Sequence, residues 1–95
     1  MLWAIIIAKI KGNQIALGSI IFFRYCKFDI YGSGNHITIG DNCKLCGLRI
    51  YMKSGSIILQ VGSKTIVNAS KEQRTLFNPC EGGGIYIAEN CLFLI

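Results

Sequence analysis

The sequence predicts an all-β fold, a parallel β-helix, in which each coil of the chain stacks on the coil before it. Apolar and polar residues alternate in short segments, glycine-rich turns separate these segments, and one short pattern recurs along the chain. Alternation with a period of two residues is typical of strands, because successive side chains of a strand point to opposite faces. Recurrence of one unit at a steady spacing is typical of a solenoid.

Four segments show the alternation most clearly, each with one outward residue between two inward apolar residues. They lie at 37–39, 48–50, 59–61 and 85–87, and clusters of Gly, Asn and Ser lie between them at 12–13, 32–35, 54–56 and 82–84. These small and polar residues reach positive φ more easily than others and are therefore typical of turns. An antiparallel β-sandwich is the alternative that such strands and turns leave open.

A five-residue pattern recurs at 39–43, 61–65 and 87–91: a branched aliphatic residue, a small residue, two polar residues and a small semi-polar residue. Stacked coils place equivalent positions in columns about 4.8 Å apart. We expect a core column, a corner column of small residues and a semi-polar column inside the next corner, formed by Ile39, Val61 and Ile87, by Gly40, Gly62 and Ala88, and by Cys43, Thr65 and Cys91. The third repeat follows after a longer interval, which predicts extra residues between Asn68 and Gly84.

A chain of 95 residues forms one domain at most. We expect a cap or first coil at 1–24, regular coils at 25–67, a loop at 68–84 and a last coil at 85–95. The apolar stretch 1–10 is interrupted by Lys9 and followed by Lys11, well short of the roughly 20 residues of a membrane span. Its charges follow the apolar residues, the reverse of a signal peptide, so it predicts a short capping strand or helix.

Composition narrows the classes of partner. Apolar residues make up 52% of the chain and charged residues 16%, which excludes disorder and indicates that more chain or a partner covers part of the surface. The ten basic residues are scattered without a run, whereas nucleic-acid binding needs a patch or stripe. We interpret them as a solvated face and expect no nucleic-acid partner, while the net charge of +5 leaves an acidic ligand open.

The cysteines favour a reducing, cytoplasmic compartment, because five is an odd number and no secretory signal precedes them. They are Cys26, Cys43, Cys46, Cys80 and Cys91. Cys43 and Cys46 have the CxxC spacing of half a zinc site, but no second CxxC and no histidine at ligand spacing follow. We therefore expect no metal and interpret most of the cysteines as small core residues.

The repeated pattern resembles the [LIV]-[GA]-x-x-[STAVC]-x hexapeptide of the left-handed parallel β-helix acyltransferases. Segments 31–43 (YGSGNHITIGDNC), 50–61 and 84–93 (GIYIAENCLF) resemble the branch that O-acetylates capsular and surface polysaccharides, and the similarity covers roughly residues 25–95. The resemblance implies a left-handed coil and a homotrimer. It also implies acetyl-CoA as co-substrate and a sugar or polysaccharide hydroxyl as acceptor, meeting between neighbouring subunits.

In that family the catalytic base is a histidine in a D-x-H-x-I segment beyond the coil that resembles 85–93, and this sequence has no counterpart. The resemblance therefore implies an amino-terminal transferase fragment that is inactive alone, and no catalytic residue is assigned. We interpret His36, the only histidine, as a solvated turn residue, and expect Glu81 and Glu89 to face water. The glycines at 82–84 lack the Lys-Ser/Thr and the helix of a P-loop.

The alternative is a complete, non-catalytic β-solenoid that serves as a structural or carbohydrate-binding module. Such a module presents a regular ladder of one residue type on a flat face. The outward residues form no such ladder, and this counts against the alternative; they are Thr38, Arg49, Gln60 and Tyr86.

Overall fold

The computed structural model describes residues 11–79 and 81–94, and every regular element in these ranges is a strand. In chain order the strands are β1 (Gln14–Leu17), β2 (Phe22–Arg24), β3 (Lys27–Ile30), β4 (His36–Ile39), β5 (Lys44–Cys46), β6 (Leu48–Met52), β7 (Ile58–Val61), β8 (Ile66–Asn68), β9 (Thr75–Phe77), β10 (Gly84–Ile87) and β11 (Leu92–Leu94). Within the described ranges no helix is long and apolar enough to cross a bilayer. The stretch 1–10, expected to form a short capping strand or helix, lies outside the described residues.

Every third strand belongs to the same sheet. Sheet A has the order β1-β4-β7-β10, sheet B the order β11-β8-β5-β2 and sheet C the order β3-β6-β9. All of the pairings are parallel. Each coil therefore adds one strand to each sheet, and the four strands of sheet A mark four successive coils. The predicted all-β parallel solenoid is confirmed, and the antiparallel sandwich is excluded.

The strand register gives the length of each coil. His36 pairs with Gln14 of the preceding coil and with Ile58 of the following coil, so equivalent positions of the first three coils are 22 residues apart. Because 22 is not a multiple of six, uninterrupted hexapeptides do not account for a coil. The step from Ile58 to Gly84 is longer, and the added residues lie at 69–74, between β8 and β9. The range 68–84, expected to be a loop, thus also contains β9.

The core is a column of inward side chains. Ile39 and Val61 are 1% and 2% exposed, and Ile87 packs against the same cluster, so the predicted aliphatic column is confirmed. The predicted semi-polar column is also confirmed where it is buried, because Cys43 and Thr65 each donate a hydrogen bond to the carbonyl of Gly62. Full burial of a branched aliphatic side chain contributes about 1.5–3 kcal/mol, so this column adds to the stability supplied by the buried residues of all three sheets.

The corners between sheets A and B, and between sheets C and A, repeat from coil to coil; we call these the regular corners. After β1, β4, β7 and β10 the chain turns through a residue with φ between 56° and 59°, namely Ile20, Asn42, Lys64 and Asn90. After β3, β6 and β9 it turns through Gly34, Ser56 and Gly82, also at positive φ. The predicted need for a small corner residue is confirmed at Gly40, where a Cβ would lie 2.6 Å from the backbone N of Ser63.

A ladder of buried asparagines joins the coils at the corner between sheets C and A. Asn35 is fully buried; its Nδ2 donates to the carbonyl of Ser54 at 3.2 Å and its Oδ1 accepts from the backbone N–H of Ile57 at 3.0 Å. One coil earlier, Asn13 Nδ2 donates to the carbonyl of Gly32, and Asn13 Oδ1 accepts from the N–H of Asn35. Each side chain thus bonds two backbone groups of the next corner in its column, 19 and 22 residues further along the chain.

Candidate functional site at the basic corner

The corner between sheets B and C is alike in the first two coils and differs in the third. Tyr25 and Gly47 occupy equivalent positions 22 residues apart, both at positive φ, and the strands on either side of them keep the same register. In the third coil six residues, 69–74, separate β8 from β9. This corner therefore carries the irregular loop of the described chain, and insertions in solenoids often lie on the binding face.

The loop at 69–74 lies against the coils below it. Backbone hydrogen bonds fix both of its ends, from Ala69 N–H to the carbonyl of Cys46 at 2.9 Å and from Thr75 N–H to the carbonyl of Gly47 at 2.8 Å. Arg74 Nε donates to the carbonyl of Tyr25 at 2.7 Å, two coils away. The absence of a side chain at Gly47 allows the loop to lie this close, because a Cβ there would be 2.5 Å from the carbonyl oxygen of Ala69.

Basic residues gather at this corner. Half of the ten Lys and Arg residues of the chain lie on or beside it, and we call this group the basic corner: Arg24, Lys27, Arg49, Lys71 and Arg74. The 22-residue register places Lys27 directly beside Arg49 on sheet C, while Lys71 and Arg74 belong to the loop. Coil stacking therefore brings together basic residues that are scattered in the sequence, so part of the expected solvated basic face is concentrated at one corner. The expected absence of a nucleic-acid partner stays a prediction.

Arg49 is held in place by its neighbours. Its Nε donates to Asp29 Oδ2 at 2.9 Å, and its guanidinium lies 5.2 Å from the centroid of the Tyr51 ring. Tyr51 in turn packs edge-on against Tyr31, with 5.8 Å between the ring centroids. The Asp29 side chain is 13% exposed and that of Arg49 is 39% exposed, so water shields this ion pair in part.

A cleft of about 260 Å³ lies between the loop and sheet C. Its lining consists of three cations, one carboxylate and one apolar side chain: Arg49, Lys71, Arg74, Glu72 and Leu76. Sites that enclose a drug-sized ligand occupy roughly 300–1,000 Å³, so this cleft fits a smaller group. Its charge favours an anion.

The residues considered from the sequence as acids or bases lie apart from each other. His36 is exposed, as expected, but it is the first residue of β4 and not a turn residue, because the strand continues through its register with Gln14 and Ile58. Glu81 and Glu89 are exposed at two different corners, also as expected. In the described part of the chain no carboxylate hydrogen-bonds to His36, so these residues form no acid–base pair.

The described cysteines differ in their burial. Cys43 is buried in the core, whereas Cys46 lines a groove on the outside of sheet B. Cys26 donates to the carbonyl of Leu45 at 3.1 Å, and burial raises the pKa of its thiol. Across the described ranges no three His, Cys, Asp or Glu side chains lie close enough together to hold a metal ion. Cys80 lies outside these ranges.

The fold and this corner define the class of protein as a parallel β-solenoid. No family model, no curated protein and no solved structure matches the chain. The resemblance to acyltransferases therefore depends on the repeated residues themselves. The basic corner was missed from the sequence because its members are separated by whole coils; the register of Lys27 with Arg49, one coil apart, is the signal that could have revealed it.

Proposed function

We propose that this chain is a coil-forming part of an acetyl-CoA-dependent O-acetyltransferase that acts on a sugar or polysaccharide hydroxyl in the cytoplasm. In this role it supplies scaffold and subunit contacts, and the catalytic base is not among its described residues. One observation carries the proposal: the three repeats that resemble the family's hexapeptide occupy equivalent positions on β4, β7 and β10 and on the corners that follow these strands. Each repeat therefore lies at the strand and corner positions that the hexapeptide resemblance implies.

The surroundings of His36 support the scaffold role. A general base needs to lie within hydrogen-bond reach of the proton that it takes, and a neighbouring carboxylate commonly orients it. In the part of the chain that the structure describes, the partners of His36 across sheet A are Gln14 and Ile58, neither of which can orient an imidazole as a carboxylate does.

An apolar stripe on sheet B supports self-association into a trimer. Phe22, Ile66 and Leu92 point outward in one column and are 49%, 38% and 58% exposed, and Lys44 lies between Phe22 and Ile66 with its Nζ over the Phe22 ring. The neighbouring pair Ile66 and Leu92 is an exposed apolar patch of the kind that is typical of protein–protein contact surfaces. We propose that neighbouring subunits cover this stripe and that acetyl-CoA and the acceptor meet at the boundary between subunits.

The activity part of the proposal is tested by incubating the full chain with acetyl-CoA and a panel of oligosaccharides and measuring the thiol released. We expect no release above the protein-free background, because a positioned general base contributes about 10²- to 10⁴-fold to the rate. His36→Ala is the control variant. Turnover that this substitution abolishes would show that His36 is the base and that the scaffold role is wrong.

The assembly part is tested by sedimentation velocity of the full chain and of two variants. Ile66→Glu places a charge in the stripe, and we expect it to dissociate the trimer. Ile58→Glu is the matched control, since Ile58 is 41% exposed on an outward position of sheet A. A monomeric parent chain, or equal effects of both substitutions, would contradict trimer formation through sheet B.

The second candidate is a non-catalytic module that binds carbohydrate. The cleft at the basic corner favours it, because the cleft needs no second subunit. A parent chain that is monomeric and binds an oligosaccharide without acetyl-CoA would favour the module over the transferase part.

A further inference from the structure

We infer that the cleft at the basic corner is a binding site for an oxyanion, the phosphate or carboxylate group of a small anionic ligand. Lys71 and Arg74 supply the charge, Arg49 completes the rim and Glu72 limits the affinity. The inference depends on the cleft alone and holds for either candidate function.

The charges that line the cleft are not balanced. Arg49 is paired with Asp29 at 2.9 Å, and no other ion pair within 4 Å occurs in the described part of the chain. Arg74 uses its Nε on a neutral carbonyl, so its charge stays available, and Lys71 is exposed. Two cations that lack a carboxylate partner therefore face one cleft, against the single carboxylate of Glu72.

The cleft is organised before a ligand arrives. The hydrogen bond from Arg74 Nε to the carbonyl of Tyr25 fixes the guanidinium while its two Nη groups remain able to donate. Guanidinium groups bind phosphate and carboxylate with paired hydrogen bonds, and a fixed side chain loses less entropy on binding. The turn of the loop is closed by Gln73 N–H, which donates to Ser70 Oγ at 3.0 Å.

One wall of the cleft is apolar and can contact the carbon atoms of a ligand. Leu76 lines the cleft, is 52% exposed and is the register partner of Arg49 on sheet C, so an apolar surface lies beside the cations. A volume of about 260 Å³ holds a phosphate group or one acidic sugar ring. The shared chemistry of these ligands is a small anionic group carried on a compact body.

The test is a titration of the full, isotope-labelled chain by NMR with three probes: inorganic phosphate, glucuronate and glucose. We expect saturable shifts of the amides of 69–76 with phosphate or with glucuronate, and none with glucose. Comparison of the first two probes distinguishes a phosphate ligand from an acidic sugar. Added salt weakens the binding, because the cleft is open to solvent.

Two variants with opposite expected effects make the test specific. Lys71→Gln should weaken the binding about tenfold, the order of one charge-assisted hydrogen bond, and Glu72→Gln should strengthen it several-fold. Lys53→Gln makes the same charge change outside the cleft lining and should leave the affinity unchanged. Absence of saturable binding, or equal losses in Lys71→Gln and Lys53→Gln, would overturn the inference.

Discussion

The regular corners and the basic corner of this solenoid both turn the chain from one sheet to the next, but they differ in how strictly they repeat from coil to coil. At the corner between sheets A and B every coil uses a residue near φ +57° at the same position, and three of the four coils carry glycine two residues earlier. At the corner between sheets B and C the first two coils turn alike, through Tyr25 and Gly47 at positive φ, whereas the third coil inserts the loop at 69–74. The repeat is therefore kept in every coil at one corner and is interrupted in the third coil at the other.

This difference separates stability from binding. A corner that repeats stacks backbone on backbone, so its residues are chosen by steric fit and by hydrogen bonds between coils. A corner that varies leaves room for side chains of the preceding coils, and here that room is occupied by cations and by the loop at 69–74. Substitutions at the regular corners should therefore change stability alone, and substitutions at the basic corner should change binding as well.

The largest effect is expected from Asn35→Ala at a regular corner. The substitution removes the partners of the buried Ile57 N–H and of the partly buried Ser54 carbonyl. Each buried group left without a partner costs about 1–3 kcal/mol, so we expect a loss of about 3 kcal/mol in the free energy of unfolding. Urea denaturation followed by circular dichroism measures it. Asn78→Ala, at an exposed position, should change the stability by less than about 0.5 kcal/mol.

A smaller effect, and a sharper comparison of corners, is expected from Gly47→Ala and Gly82→Ala. Both glycines have φ +69°, so both substitutions introduce the same backbone strain, on the order of 1 kcal/mol. At Gly82 a Cβ has no neighbour within 4 Å, whereas at Gly47 it lies 2.5 Å from the carbonyl oxygen of Ala69. The difference between the two variants therefore isolates contact between the loop and the second coil.

We expect Gly47→Ala to lose about 1–2 kcal/mol more than Gly82→Ala, because overpacking against backbone typically costs that much. It should also weaken phosphate or glucuronate binding, since Lys71 and Arg74 move with the loop. Equal losses of stability in the two variants would show that the loop does not depend on Gly47.

The difference between the regular corners and the basic corner explains which features of the fold could be predicted from the sequence. The period-two alternation and the repeats at 39–43, 61–65 and 87–91 predicted parallel stacking, the core column and the small corner residues, because steric fit leaves a local pattern. The hand of the coil had no such pattern and was implied by the resemblance alone. The asparagine ladder was interpreted as turn residues, although Asn13 and Asn35 are one coil apart.

The basic corner was not predicted, for a physical reason. Electrostatic clustering depends on which residues are neighbours across coils and on where the added residues leave the stack. Lys27 and Arg49 become neighbours only once the 22-residue register is known, and Lys71 and Arg74 join them only because the loop folds back onto the second and first coils.

The smallest effect expected is a gain in stability at a position where the sequence departs from the regular corner. Ile20 has φ 56°, in the column that Asn42 and Asn90 occupy one and three coils later. A β-branched residue fits the left-handed region poorly, while asparagine enters it more easily. Ile20 is 83% exposed, so its replacement removes little buried apolar surface. The strain at this corner should therefore outweigh the loss of contacts.

We expect Ile20→Asn to stabilise the fold by about 1 kcal/mol, which raises Tm by roughly 4–8 °C in a domain of this size. Thermal unfolding at matched protein concentrations measures the change, since self-association would otherwise shift Tm. The reverse substitution, Asn42→Ile, should lower Tm by a similar amount. If Asn42→Ile destabilises and Ile20→Asn has no effect, the corner of the first coil accommodates Ile20 at positive φ without strain. The regular corners would then owe their regularity to their neighbours rather than to their own sequence.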